Sequence, residues 1–175
     1  VMASSCADPP EAPSFQLDSL YGRWHEVGKI QTAGGAFFER DCVCTQLVYT
    51  PTSPPSHDAL VDNLCRDKTP SGRLLQLNAT LTADPAKPGH FSQRFPVGPA
   101  ASYNLIVLDE QYAVEYDCQH VLGITNYCIH LMARSPTMPP QVEEQLLHLA
   151  NHTLGLNPHN LPYHRTMQEG CPSPA

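Results

Sequence analysis

Seven cysteines, at positions 6, 42, 44, 65, 118, 128 and 171, run the length of this 175-residue chain. No Cys-x-x-Cys pair occurs, which argues against a zinc ribbon or a thioredoxin-type redox site. Cys42-Val43-Cys44 offers two metal ligands, but no second pair of suitable spacing follows it. His148 and His152 stand one helical turn apart, which is metal-ligand spacing, yet no Glu follows His148 and no third ligand suggests itself. Both read as a solvated helix face. No Ser/His/Asp set, phosphate loop or paired carboxylate stands out, so no catalytic residue and no metal site are expected. The cysteines read instead as a disulfide framework whose bridges close long loops. Asn78-Ala79-Thr80 and Asn151-His152-Thr153 are N-glycosylation sequons. With eighteen prolines, these features favour a secreted, oxidised glycoprotein over a cytosolic one.

Composition narrows the class further. Ten Lys+Arg against seventeen Asp+Glu, a net charge of -7, cannot supply the basic stripe of a nucleic-acid binder. No stretch approaches the roughly 18 consecutive apolar residues of a membrane-spanning helix. Hydrophobic residues make up 41% of the chain and fall in patterned runs, which excludes disorder throughout. Val1 to Pro10 lacks the basic and apolar segments of a signal peptide, so the chain is expected to be intact and soluble, cytosolic or already processed. Its length suits a single domain that buries roughly 70% of its unfolded surface.

The elements follow from period and punctuation. Residues 1–19 form an extended, proline-rich lead-in, with a short helical turn over Phe15 to Leu20. Strands are expected at Gly22–Ile30, 43–50, Leu60–Cys65, Arg73–Thr82, His90–Phe95, Tyr103–Leu108, Tyr112–Cys118 and Tyr127–Arg134. Gly34-Gly35 marks an irregular loop, and the Pro/Ser cluster at 51–57 a turn. In Arg73–Thr82, Leu75, Leu77, Ala79 and Leu81 share one face, which puts Asn78 on the solvent side. Only 139–154 reads as a proper helix, with Pro139-Pro140 in its first turn and Val142, Leu146, Leu149 and Thr153 on one stripe, Leu147 and Ala150 beside it. Residues 155–175 form a tail. Eight short strands with hairpin-like links and one late helix indicate an up-and-down antiparallel barrel, with a sandwich as the alternative.

Gly22-Arg23-Trp24 resembles the G-x-W motif of the lipocalins, and the likeness extends along almost the whole chain. Cys6, Pro9-Pro10, Phe15, Leu20 to Trp24, Glu26 and Lys29-Ile30 resemble the opening of the apolipoprotein D-like branch. Cys44 to Tyr49 resembles its second strand and Tyr112 to Cys118 its seventh. Met132-Ala133-Arg134-Ser135-Pro136 is similar to its eighth strand, and Cys171 to its last cysteine. The resemblance implies an all-β fold: one eight-stranded barrel over 22–134 with the helix packed outside. It implies that Trp24 closes the barrel floor and that Arg134 lies across its ring. It further implies bridges Cys6–Cys118 and Cys44–Cys171. Cys42 and Cys65 remain as a third pair on neighbouring strands, with the roles of Cys42 and Cys44 exchangeable and Cys128 left over.

The same resemblance implies a ligand chamber inside the barrel. With Arg134 inward, Met132, His130 and Cys128 point in, whereas Ile129, Leu131 and Ala133 face the helix. Asp62 and Leu64 are placed inside by the resemblance, and Tyr49, Phe95, Leu75 and Leu77 are added to the lining. The implied function is carriage of a small hydrophobic molecule outside the cell: a sterol, fatty acid, retinoid, carotenoid or bilin, with no required cofactor. A pigment-binding chromoprotein of the bilin-binding or crustacyanin type is the first alternative. A thiol-dependent lipid isomerase, drawing Asp62, His130 and Cys128 together, is the second. His130 is expected in mid-barrel, where it widens the cavity and meets a polar ligand group, or is satisfied by Asp62 or water. A cell-surface receptor and a homo-oligomer are open partners.

Overall fold

Residues 5–33, 41–54 and 56–172 are described by the computed structural model; the expected Gly34-Gly35 loop lies outside them. Eight strands form the barrel: β1 (Gly22–Gln31), β2 (Cys42–Pro51), β3 (Ala59–Asp67), β4 (Leu74–Ala83), β5 (His90–Arg94), β6 (Ala101–Leu108), β7 (Tyr112–Val121) and β8 (Ile124–Ala133). Each pairs antiparallel with the next, and β1 pairs with both β8 and β2, which closes the sheet and removes its edges. A barrel is thus decided over a sandwich. The strands start and stop within a few residues of the sequence reading. The largest extension is the β7–β8 hairpin, which runs to a two-residue turn at Leu122-Gly123, both with positive φ (53° and 78°).

The barrel floor is built on one ring. Trp24 is fully buried, its indole Nε1 donating to Leu20 O at 2.8 Å. The Arg134 guanidinium carbon lies 3.9 Å from the ring centroid, and its nitrogens donate to the carbonyls of Arg23, Ser19 and Tyr21, each at 2.8 Å. Those carbonyls belong to the 3-10 turn Leu17–Ser19 and the entry to β1, so one side chain ties the lead-in to the end of β8. Gly22 sits at φ 100°, and a Cβ there would approach Arg134 Nη1 to 3.2 Å.

Two apolar layers follow from the alternation. The interior holds Trp24, Leu47, Tyr49, Val61, Leu81, Phe91, Tyr103 and Met132. The outer layer packs Val27, Ile30, Val114, Ile129, Leu131 and Ala133 beneath α1 (Pro140–His148), a π-helical turn at Leu149–Thr153, and Leu156. The helix face differs from the expected stripe. Thr153 is exposed, while Ala150 and, unexpectedly, Glu143 are buried. Glu143 tolerates burial because Arg165 and Tyr163 from the tail bond its carboxylate, the phenol at 2.9 Å and Arg165 Nη2 at 2.5 Å. Those tail residues flank β9 (His164–Arg165), an unexpected two-residue strand that pairs with Gly28 and Lys29 of β1. β1 contacts β2 only from Gly22 to His25; beyond that the tail occupies the seam.

One extra residue in β2 organises the disulfides. Val43 pairs with Arg66 and Gln46 with Leu64, so Cys44 and Thr45 together oppose Cys65. Cys44 carries the strain at φ 59°. The bulge turns Cys42 inward with Cys65 and Cys44 outward to the tail, and the bridges are Cys42–Cys65, Cys44–Cys171 and Cys6–Cys118. The exchangeable pair is thereby assigned. Cys128 is buried and joins none of the three.

The floor interaction is testable. Arg134→Met keeps the length of the side chain but removes the charge and three hydrogen bonds, and is expected to cost about 2–4 kcal/mol. Urea unfolding checks it through a lower midpoint at unchanged slope.

Candidate functional site

The sheet's period of two sets the barrel lining. On β8, Met132, His130 and Cys128 pair with Ala113, Glu115 and Asp117 of β7, and all six share the inner face. Glu26, two residues after Trp24 on β1, faces the same space. His130 Nδ1 donates to Glu26 Oε2 at 2.8 Å, and Glu115 Oε1 lies 3.7 Å from the same nitrogen. Both carboxylates and the ring are almost completely buried. The second oxygen of Glu26 accepts from Thr166 Oγ1 at 2.5 Å, and Cys128 also hydrogen-bonds the ring.

Electrostatics set the charge states here. Burial alone would lower the His130 pKa, but the Glu115 charge and the bonds to Cys128 and Glu26 outweigh it and hold the value well above 6.5. Burial would raise Glu26, yet the hydrogen bond and charge of His130 bring it down from 4.5 to about 2. The pair is an imidazolium–carboxylate bridge inside the barrel. Tyr49 and Tyr103 share a hydroxyl hydrogen bond beside it, and the Tyr49 hydroxyl reaches Glu115 Oε2 at 3.3 Å. Burial first, then the Glu115 charge, push both phenols well above their usual range, so they stay neutral.

Open space lies elsewhere. A cavity of about 220 Å³ sits where β2 begins, β3 ends and β4 begins, away from the Trp24 floor. Cys42, Thr45, Asn63, Leu64, Cys65, Leu75, Gln76 and Leu77 line it. It is smaller than the roughly 300–1,000 Å³ of common ligand pockets. Leucines and a disulfide make most of its wall, and its polar groups are few.

Most expected lining residues face inward: Tyr49, Leu75, Leu77, Cys128, His130 and Met132, with Phe95 half-buried against the interior cluster. Asp62 and Leu64 do not. Tyr49 pairs with Val61, so Val61 and Asn63 take the inner positions of β3 and Asp62 turns out, accepting from Gln76 Nε2 at 2.7 Å on the outer surface. Leu64 pairs with Gln76 at an outward register position, yet both line the cavity, as expected for Leu64. The acid/base/thiol set therefore does not assemble, since Asp62 is on the other side of the sheet. His130 is engaged by groups of the barrel itself. Glu26, not Asp62, bonds its Nδ1, Glu115 adds a second charge, and Tyr49, Tyr103 and Phe91 fill the space nearby.

Sequence reasoning missed Glu26 and Glu115 as interior charges; the alternation that turns Trp24 and His130 inward points to both. It also missed Thr45 and Asn63, which the bulge and the true β3 parity bring to the cavity. Asn78 is exposed on the outer face of β4. Asn151 is half-buried, and its carbonyl oxygen accepts from Asn157 Nδ2 at 2.9 Å. His148 and His152 are exposed neighbours with ring centroids 5.1 Å apart.

A closed eight-stranded barrel with this tryptophan floor and an outer helix has the lipocalin fold. The structure superposes on lobster apocrustacyanin A1 with a TM-score of 0.67 at 16% identity, covering 93% of this chain and 91% of that one. Apocrustacyanin C1 gives 0.68 at 18% identity, over 94% and 92%. In sequence, apolipoprotein D of Mus musculus is 28% identical over 138 residues, 78% of this chain and 69% of that protein. Apolipoprotein D of Macaca fascicularis is 27% identical over 176 residues, 95% and 84%. No family model matches. The chain thus has the lipocalin fold and is similar in sequence to apolipoprotein D.

The buried bridge predicts a pH profile. Glu26 is depressed, so its contribution is complete above pH 4.5 and is lost as pH falls towards about 2. His130 is raised, so its contribution is complete below pH 6.5 and is lost as pH climbs through the raised value. The bridge thus stabilises fully between pH 4.5 and 6.5. His130→Leu leaves Glu26 buried without its partner and is expected to cost about 3–5 kcal/mol at pH 5.5. The deficit should shrink at pH 2.5, and urea unfolding at both pH values measures it; an equal deficit at both would remove the bridge as its cause.

Proposed function

We propose that the protein binds a small hydrophobic molecule in the cavity between β2, β3 and β4 and carries it outside the cell. The cavity's apolar wall, above all Leu75 and Leu77, is the observation that carries this reading. Three disulfides, an exposed sequon at Asn78 and the likeness to apolipoprotein D support the extracellular setting. No described helix is long and apolar enough to cross a membrane. A space of about 220 Å³ favours a compact ligand over an extended polyene or a tetrapyrrole. At interior packing density it suits roughly ten non-hydrogen atoms. Cys128 is buried beside His130 and apart from the cavity wall, which supports carriage over thiol catalysis.

Butylbenzene, a neutral ten-carbon probe, is expected to bind wild-type protein with one site by calorimetry. Leu77→Arg puts a charge on the apolar wall and should weaken that binding by about tenfold or more. Asp62→Ala, on the outer face, should leave it unchanged. Equal binding by all three proteins would remove this cavity as the site. Chain secreted from eukaryotic cells should lose one glycan's mass on Asn78→Gln.

A further inference from the structure

The β2 bulge points to the kind of ligand the cavity accepts. Bulges re-aim side chains next to functional sites, and strained backbone persists there when its surroundings hold it. Cys44 stands at φ 59°, held by its bridge to Cys171 and by its amide, which donates to Met167 O at 2.9 Å. The next carbonyl, Thr45 O, accepts from Gln168 Nε2 at 3.0 Å. On the other side, Cys42 is bridged to Cys65. This clamped segment presents the Thr45 side chain to the cavity wall. Thr45 is only 1% exposed, yet its hydroxyl has no hydrogen-bond partner. A buried hydroxyl in that position is costly unless something in the cavity bonds it.

The other lining groups define that partner. Asn63 Nδ2 is already given to Leu77 O at 3.2 Å. No basic side chain is among the described lining residues, so a ligand carboxylate would be buried without a counter-charge. Leucines and a disulfide surround the rest. We infer that the cavity takes a neutral amphiphile of about ten to twelve non-hydrogen atoms whose hydroxyl or carbonyl group bonds Thr45 Oγ1, with its apolar part against Leu75 and Leu77. This rests on the binding function proposed above and narrows it to a ligand class.

A matched series separates the two ideas: butylbenzene, 4-phenylbutan-1-ol and 4-phenylbutanoate, titrated by calorimetry at pH 7.5. Wild type is expected to bind the alcohol most tightly and the carboxylate at least about tenfold more weakly. Thr45→Val, nearly isosteric but without the hydroxyl, should weaken the alcohol by about fivefold and leave butylbenzene unchanged. Thr45→Ser should restore the preference for the alcohol. If Thr45→Val affects alcohol and hydrocarbon alike, or neither, the Thr45 contact is overturned while the binding function stands. Carboxylate bound best overturns the neutral class. Binding of none of the three by wild type overturns the carrier function and this inference together. Thr45→Ser also covers the case in which Thr45→Val fails to fold, since an alcohol preference lost in the serine variant would count against the contact.

Discussion

A single inserted residue in β2 separates the two faces on which this molecule depends. With strict alternation, Cys42 and Cys44 would point the same way and could not serve partners on opposite sides of the sheet. The bulge places Cys42 inside against Cys65 and Cys44 outside against Cys171. Holding an L-residue near φ 59° costs roughly 1–3 kcal/mol, and the flanking bridges and tail contacts offset it. The tail it captures then lines the seam where β1 leaves β2, with Gln168 reaching the carbonyls of both Glu26 and Thr45. Bridge pairing, seam closure and cavity wall are consequences of one register shift.

The interior that results is layered. Trp24 and Arg134 seal the floor, and the Glu26–His130–Glu115 group with Tyr49 and Tyr103 occupies the middle. The apolar cavity lies beyond them. A buried charge group of this kind is weak evidence for stability in itself, because desolvation opposes the Coulomb gain. Its effect on binding is clearer. The imidazole that a polar ligand would otherwise seek is engaged by two carboxylates, which leaves the unpartnered Thr45 hydroxyl as the contact proposed above. The chamber is consequently smaller than an empty barrel of eight strands would offer.

Much of this was legible before the fold was known. The β4 face followed from period two and the sequon at Asn78; the β8 face followed from the same period once the family resemblance had set Arg134 over Trp24. The β3 face was not legible in the same way. Its residues are mixed in polarity, so the family resemblance alone places Asp62 and Leu64 inside, and pairing with Tyr49 puts Val61 and Asn63 there instead. The helix stripe erred for a related reason: Glu143 is tolerated indoors by Arg165 and Tyr163, more than twenty positions away in the case of Arg165.

By itself the sequence determined the all-β class, the positions of eight strands and one helix, and the residues of the floor. Alternation, turn chemistry and the Gly22-x-Trp24 signature are short-range properties that each segment carries alone. Only the tertiary structure decided which thiol of Cys42 and Cys44 faces inward, which side of β3 lines the barrel, and what satisfies His130. Those outcomes depend on register and on partners as far apart as the 127 positions between Cys44 and Cys171. Chain closure, rather than local preference, brings such groups together, and it leaves the Thr45 hydroxyl buried and unpartnered in the wall of the space that remains.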